Sequence, residues 1–211
     1  MLFDFAKLAT KDRYKILSYT VVPRPIAWVV SVGADGSRNA APFSFFNVMT
    51  SKPPLVAVGI TSYAGGVQKD TPRHIDETKQ FVVNLVPRKL INQMNITAVE
   101  FGPEVDELTA AELTVVPSTF VKPPRIAESP VALECELFHH HALEGGQHII
   151  LGKVLGVHVA DEAVLDFDKC YVDTPKLGLV GRMDNKYIAT SDNVFELPRI
   201  TVEQWQAGKR A

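Results

Sequence analysis

Between residues 26 and 61 the apolar positions fall into three short β-type runs separated by turn chemistry. "IAWVVSV" meets Asp35-Gly36, a hairpin signal because glycine accepts the positive φ that such turns need, and "NAAPFSFFNV" follows as a second strand. Pro53 and Pro54 have no N–H for a ladder, so they mark a break before a third strand, "LVAVGIT". The period then changes. In "KDTPRHIDETK", Thr71 is a good N-cap and Pro72 a good first helical residue, which predicts a short helix from that point. "FVVNLV" reads as a buried strand, while "RKLINQMNITAVEF" and "DELTAAEL" predict modest helices, the second led by Asp106 as its cap. Two long β-rich arms, "PVALECELFHHHAL" and "QHIILGKVLGVHVA", flank Gly145-Gly146 and predict a hairpin. Thr201 and Gln204 in "TVEQWQ" stand at capping-box spacing and predict a helix near the end. With no internal repeat, low-complexity tract or linker, residues 1–211 read as a single domain. Many strands with a few connecting helices give a mainly β fold with helical additions around a barrel core.

Composition narrows the function classes. The chain of 211 residues is long enough to bury a substantial core, and 46% hydrophobic with 22% charged residues is ordinary for a soluble globular protein. A net charge of −2, with basic residues scattered, offers no field for nucleic acid or an anionic membrane, so neither is expected as a partner. The start "MLFDFAKLATKDRYK" lacks the apolar core of a secretory signal, and no run approaches the roughly 18 apolar residues of a membrane helix. Cys135 and Cys170 are isolated, which reads as two reduced thiols in a cytoplasmic protein.

Three places carry candidate chemistry. At Lys69, Asp70 and Thr71 a helix N-terminus would expose unpaired amides and partial positive charge, with a hydroxyl and the charges of Lys69 and Arg73 nearby. Two readings stand there: a plain helix cap, or a cradle for a phosphate. On a regular strand, Ser44, Phe46, Val48 and Thr50 share one face, and Phe43, Phe45, Asn47 and Met49 the other. Both faces mix polar and apolar groups, which suits either a sheet edge in water or a surface that grips a flat aromatic ligand by its rim. His139 and His141 would share one strand face and imidazole is a good metal ligand, yet no further ligand stands at a recognisable spacing, so a histidine ladder is expected there. There is no GxSxG elbow, no GxGxxG and no GxxxxGK[ST] loop, so a nicotinamide nucleotide, if used, is not held by a Rossmann fingerprint.

Taken in order, "RPIAWVVSV" (residues 24–32), "DGSRNAAPFSFFNVMTSKPPLVAV", "KDTPRHIDETKQFVVN" and "HIILGKV" (residues 148–154) resemble the flavin reductase-like, FMN-binding split-barrel family of the flavoredoxin type. The resemblance spans roughly residues 19–187. It implies a six-stranded antiparallel Greek-key split barrel, a homodimer, FMN near the subunit interface, and NADH or NADPH as the donor that reduces flavin at N5. The alternative it implies is an FMN-binding electron carrier reduced by a protein partner. By the same resemblance, Ser44, Asn47, Val48, Met49, Thr50 and Ser51 would line the flavin, and Lys69, Asp70 and Thr71 would lie by its phosphate. Arg24 matches the arginine that opens the first strand, and His148 a histidine facing the flavin region. Where relatives often carry Asn, this chain has His74, an imidazole placed to donate to phosphate. The run His139-His140-His141 has no counterpart in the family pattern.

Overall fold

A computed structural model describes residues 1–102, 104–191, 194–195, 197 and 201–208. The β-type runs become β1 (Ala27–Val32), β2 (Arg38–Phe43), β3 (Phe45–Ser51), β4 (Pro54–Thr61) and β5 (Gln80–Leu85). A short pair, β6 (Val115–Val116) and β7 (Arg125–Ile126), precedes the long arms β8 (Val131–Leu143) and β9 (Gln147–Val159). The main sheet has the order β2-β1-β5-β8-β9-β4-β3, and every pairing in it is antiparallel. Its two end members are consecutive in the chain and meet at Ser44, so they are one bent strand and the ring has the six strands expected.

Alternation sorts side chains between the two faces of this ring. Inward go Val56, Val58 and Ile60 from β4, Ile150 from β9 and Phe81 and Val83 from β5, closed at one side by Ile75 of α2 (Asp70–Thr78). Phe81 is fully buried against Gly152, where a Cβ would lie 2.3 Å from its Cζ, so only glycine lets the ring approach so closely. A second core gathers around Trp28, Val30 and Ala40 on the other face of β1 and β2, beneath α3 (Ile91–Ile96) and α4 (Glu107–Ala110).

Several predicted elements take the expected form. Gly145 and Gly146 turn the β8–β9 hairpin with φ of 75° and 71°. Asp106 caps α4 by accepting from the amides of Leu108 and Thr109. The capping box forms at α5 (Val202–Gly208): Thr201 N donates to Gln204 Oε1 at 2.8 Å and Gln204 N to Thr201 Oγ1 at 3.2 Å.

Others differ. The turn at Asp35-Gly36 spans residues 33–37 and is locked by Asp35, which accepts from the amide and hydroxyl of Ser37. Pro54 does not interrupt the ladder but opens β4, paired with Ser51 across a two-residue turn. "RKLINQMNITAVEF" is α-helical only over Ile91–Ile96. Thr71 is not the N-cap of α2: Lys69 holds that position with extended backbone and no side-chain cap bond. The Thr71 hydroxyl instead accepts from the buried Asn39 amide at 2.8 Å, because a buried donor without a partner costs more than an uncapped, solvated helix end. A helix that the pattern did not announce, α1 (Thr10–Thr20), buries only Ser18, so it has almost no apolar stripe to detect. Two small hairpins follow β9: β10 (Val164–Asp166) with β11 (Tyr171–Val172), and β12 (Val180–Met183) with β13 (Lys186–Ala189). No helix among the described residues is long and apolar enough to cross a membrane.

Candidate functional site

The bend at Ser44 opens a cleft of ≈ 370 Å³ between the end of α1 and β3. Its wall includes Leu17 and Val21 from the helix side, Arg24 and Ser44 at its base, and Phe45, Asn47 and Met49 from β3. Arg24 holds these parts together. It is buried, donates from Nη1 to the carbonyls of Ser18 (2.5 Å) and Val21 (3.0 Å), and reaches Ser44 Oγ from Nε at 3.4 Å. Cationic side chains complement the bare carbonyls at a helix end, so one guanidinium both closes α1 and fixes the bend. Its carbon lies 5.7 Å from the centroid of the Phe45 ring, on which Tyr14 also stacks at 5.7 Å.

β3 is unusually open for a strand of this composition. Phe45, Asn47, Val48 and Met49 are exposed, Phe46 and Thr50 half-buried, and Ser51 exposed. Asn47 Oδ1 accepts from the Val48 amide at 2.8 Å, and Thr50 Oγ1 from the Lys52 amide at 3.2 Å. The register slips between Val48 and Thr50, leaving Met49 without a partner across the ladder. A slipped edge strand of this kind presents backbone donors and acceptors as well as side chains.

The second candidate region starts α2. Lys69 Nζ sits 4.8 Å from the Tyr63 ring centroid and 3.7 Å from Glu100 Oε1. Asp70 accepts from Arg73 Nη2 at 2.6 Å, and Arg73 also pairs with Glu77, so this guanidinium is held along its own helix. Burial, followed by the negative charges of Asp70, Glu100 and Glu107, pushes the Tyr63 phenol up. Lys69 and Arg73 are therefore the cations set among these carboxylates, and Lys69 is the one that lies off the helix flank, against Tyr63 and Glu100. Thr71 and His74 both turn inward. His74 is buried, with Nδ1 3.4 Å from Ser31 Oγ and Nε2 accepting from Arg73 at 3.0 Å, so its imidazole does not donate outward to a phosphate. Burial first, then the charge on Arg73, lowers its pKa. The bond from Asn39 to Thr71 ties this region to β2, and the strand from there to the bend at Ser44 spans about 16 Å at roughly 3.3 Å per residue.

His148 lies on the inner face of β9 beside His140 and Ser62, and burial, then His140, lowers its pKa. In the histidine run the faces separate as alternation requires. His139 and His141 meet edge to face outside with centroids 4.1 Å apart, while His140 turns in to Asp76. No group of three or more His, Cys, Asp or Glu among the described residues is arranged to hold a metal. Both cysteines are free; Cys135 is buried and its thiol is pushed up to about 12, whereas Cys170 is exposed. The sequence reading missed Leu17, Val21, Ser62 and Asp76. Three consecutive histidines in a strand put the middle one on the face opposite its two neighbours, and that was the signal available for finding its partners.

Residues 19–174 match the family described as flavin reductase like domain. An uncharacterized protein of Deinococcus radiodurans is 42% identical over 210 residues, 97% of this chain and 92% of that protein. The crystal structure of Pseudomonas fluorescens 2-nitrobenzoate 2-nitroreductase NbaA is 30% identical with a TM-score of 0.87, covering 96% of this chain and 98% of that one. The flavoredoxin of Desulfovibrio vulgaris (Miyazaki F), at 21% identity and a TM-score of 0.74 over 96% of this chain and 100% of its own, shares the fold.

Proposed function

The chain belongs to the flavin reductase-like family, and on that premise we propose that it binds FMN and reduces it with NADH or NADPH. The observation that carries the reading is the cleft at the Ser44 bend. At ≈ 370 Å³ it falls within the range of about 300–1,000 Å³ common for small-molecule sites. Apolar Leu17, Val21, Phe45 and Met49 suit the faces of a flat aromatic ring, and Ser44, Asn47 and the open backbone of β3 suit its polar rim, so the residues present fit a flavin.

In this reading Ser44, Asn47, Val48, Met49, Thr50 and Ser51 hold the ring edge, and Arg24 acts behind them by fixing the bend. Lys69, with the amides of Asp70 and Thr71 at the start of α2, takes the phosphate; the Thr71 side chain is an anchor and makes no contact with it. Bound flavin supplies a hydride acceptor at its ring, and the chain's own task is to orient, shield and supply protons. The relationship to a nitroreductase supports flavin-linked reduction as the activity class. Phe45, Val48 and Met49, exposed along an edge strand beside exposed Tyr14 and Leu17, support a homodimer that covers them.

Purified protein titrated with FMN should bind it, and NADH or NADPH should then bleach the flavin spectrum. A protein that neither shifts FMN fluorescence nor gains thermal stability from it sinks the proposal, and one that binds FMN but ignores both nicotinamides is an electron carrier instead. Lys69→Ala should weaken FMN roughly tenfold more than riboflavin, which lacks the phosphate. Equal losses would reject Lys69 as the phosphate ligand.

A further inference from the structure

A second cavity, ≈ 300 Å³ in volume, opens where the chain leaves β5, enters β8 and leaves β9. Its wall takes Lys89 from beyond β5, Arg125 from β7, Glu128 and Ser129 from just before β8, His158 from the end of β9 and Glu162 from beyond it. It shares no residue with the Ser44 cleft. The two also differ in kind: the cleft is walled mostly by apolar groups, this cavity mostly by polar and charged ones. Its volume lies at the small end of the range for small-molecule sites.

Two parts of the wall are fully engaged. His158 Nε2 lies 2.5 Å from Oε1 of buried Glu134, which also accepts from the amides of Thr119 and Phe120. The Ser129 hydroxyl lies 2.8 and 2.9 Å from the carbonyls of Leu85 and Val131. The four charged groups are not. Lys89 and Glu162 are exposed, and neither side chain has a hydrogen-bond or ion-pair partner among the described residues. Arg125 reaches the Pro117 carbonyl from Nε at 3.4 Å and Nη2 at 3.3 Å, both long for a guanidinium. Glu128 accepts from the Thr114 amide on Oε1 at 3.0 Å, while its Oε2 is buried with no partner. Folded proteins leave few buried polar atoms in that state, because an unmade bond there costs more than a made one returns.

Two positive and two negative groups thus line one cavity without pairing with each other. That balance selects the ligand. A phosphate or a dicarboxylate would gain from Lys89 and Arg125 but be repelled by Glu128 and Glu162, and a diamine would meet the reverse. A molecule that carries an ammonium and a carboxylate together suits both sets. The guanidinium fork matches a carboxylate, and an ammonium has three donors for carboxylate oxygens. We propose that this cavity binds a free α-amino acid, its carboxylate on Arg125 and Lys89 and its ammonium on Glu128 and Glu162. The ammonium supplies the donor that Glu128 Oε2 lacks, and the volume leaves room for a side chain. The site stands apart from the flavin reading above and does not rest on it.

Calorimetric titration of the full-length, flavin-free protein with each common L-amino acid in turn tests the site. At least one should bind saturably with a Kd below about 1 mM. Acetate, methylammonium and inorganic phosphate should each bind at least about tenfold more weakly than that amino acid, because each satisfies only one pair of charges. Lys89→Gln and Glu162→Gln, both at exposed positions, should each weaken it roughly tenfold while leaving the melting temperature within about 1 °C. Excess FMN should not displace it, since the two cavities share no wall. The proposal is overturned if no amino acid binds, if phosphate or acetate binds as tightly as the best of them, or if both variants keep wild-type affinity. Displacement by FMN overturns it too, by placing the amino acid in the Ser44 cleft. A protein that takes up no FMN overturns only the function proposed above.

Discussion

β2 and β3 are halves of one strand, bent once at Ser44, and they do opposite work. On β2, Asn39 and Ala40 are buried; Asn39 donates to Thr71 and the Ala40 amide donates to Glu107 Oε2 at 3.1 Å. On β3, Val48 is 64% exposed and Met49 53%, although both are as apolar as core residues. The composition of the two halves does not explain this. What differs is the cover: β2 lies against β1 and is packed by α2, α3 and α4, whereas β3 has β4 on one side and α1 near the bend. The same alternation thus builds a core where neighbours close over it and an open face where they do not.

The contrast can be broken by substitution, and the largest effect should fall on β2. Thr71→Val keeps the shape but removes the acceptor from a buried amide, and it should cost about 1–3 kcal/mol in urea unfolding. The matched change on β3, Val48→Ser with Met49→Ser, should alter stability by only about 0.5 kcal/mol while weakening FMN binding in a fluorescence titration. If the β3 pair costs as much as Thr71→Val, that half is packed after all and the comparison fails. The smallest effect concerns pH. Both His74 and His148 have folded pKa values held below the ordinary 6.5. Between those depressed values and about 6.5 the unfolded chain binds more protons than the folded one, so stability is full above the window and declines as pH falls through it. His74→Asn, which retains a polar side chain next to Ser31, should flatten part of that decline in melts recorded across the window. An unchanged slope would mean that His74 contributes nothing to it.

The parts of the fold that could be read in advance were those governed by neighbours in sequence. Asp106 caps α4, Gly145 and Gly146 turn the β8–β9 hairpin, and Thr201 with Gln204 starts α5, because each depends on a few adjacent residues. The candidate site was read as two segments, residues 44–51 and 69–71; the first becomes the open strand β3 and the second starts α2, with Thr71 buried. Their details were not legible. Thr71 has the chemistry of a cap and serves as the acceptor for Asn39, a residue far away in sequence, and no local pattern distinguishes the two uses. His74 was placed at the helix start by its position, yet its ring direction follows from Ser31 on β1 and from Arg73.

By itself, then, the sequence determined the strand and turn alphabet: which runs are extended, where glycine and proline punctuate them, and that residues 44–51 mix apolar and hydrogen-bonding groups. Only the tertiary structure decided which half of the bent strand is covered, that Arg24 joins the end of α1 to Ser44, and that Asp76, His140, His148 and Ser62 stand in one row. The physical reason is range. Backbone preference and alternation act over a few residues, whereas burial and the pairing of polar groups are set by whichever distant segments the closed barrel brings into contact.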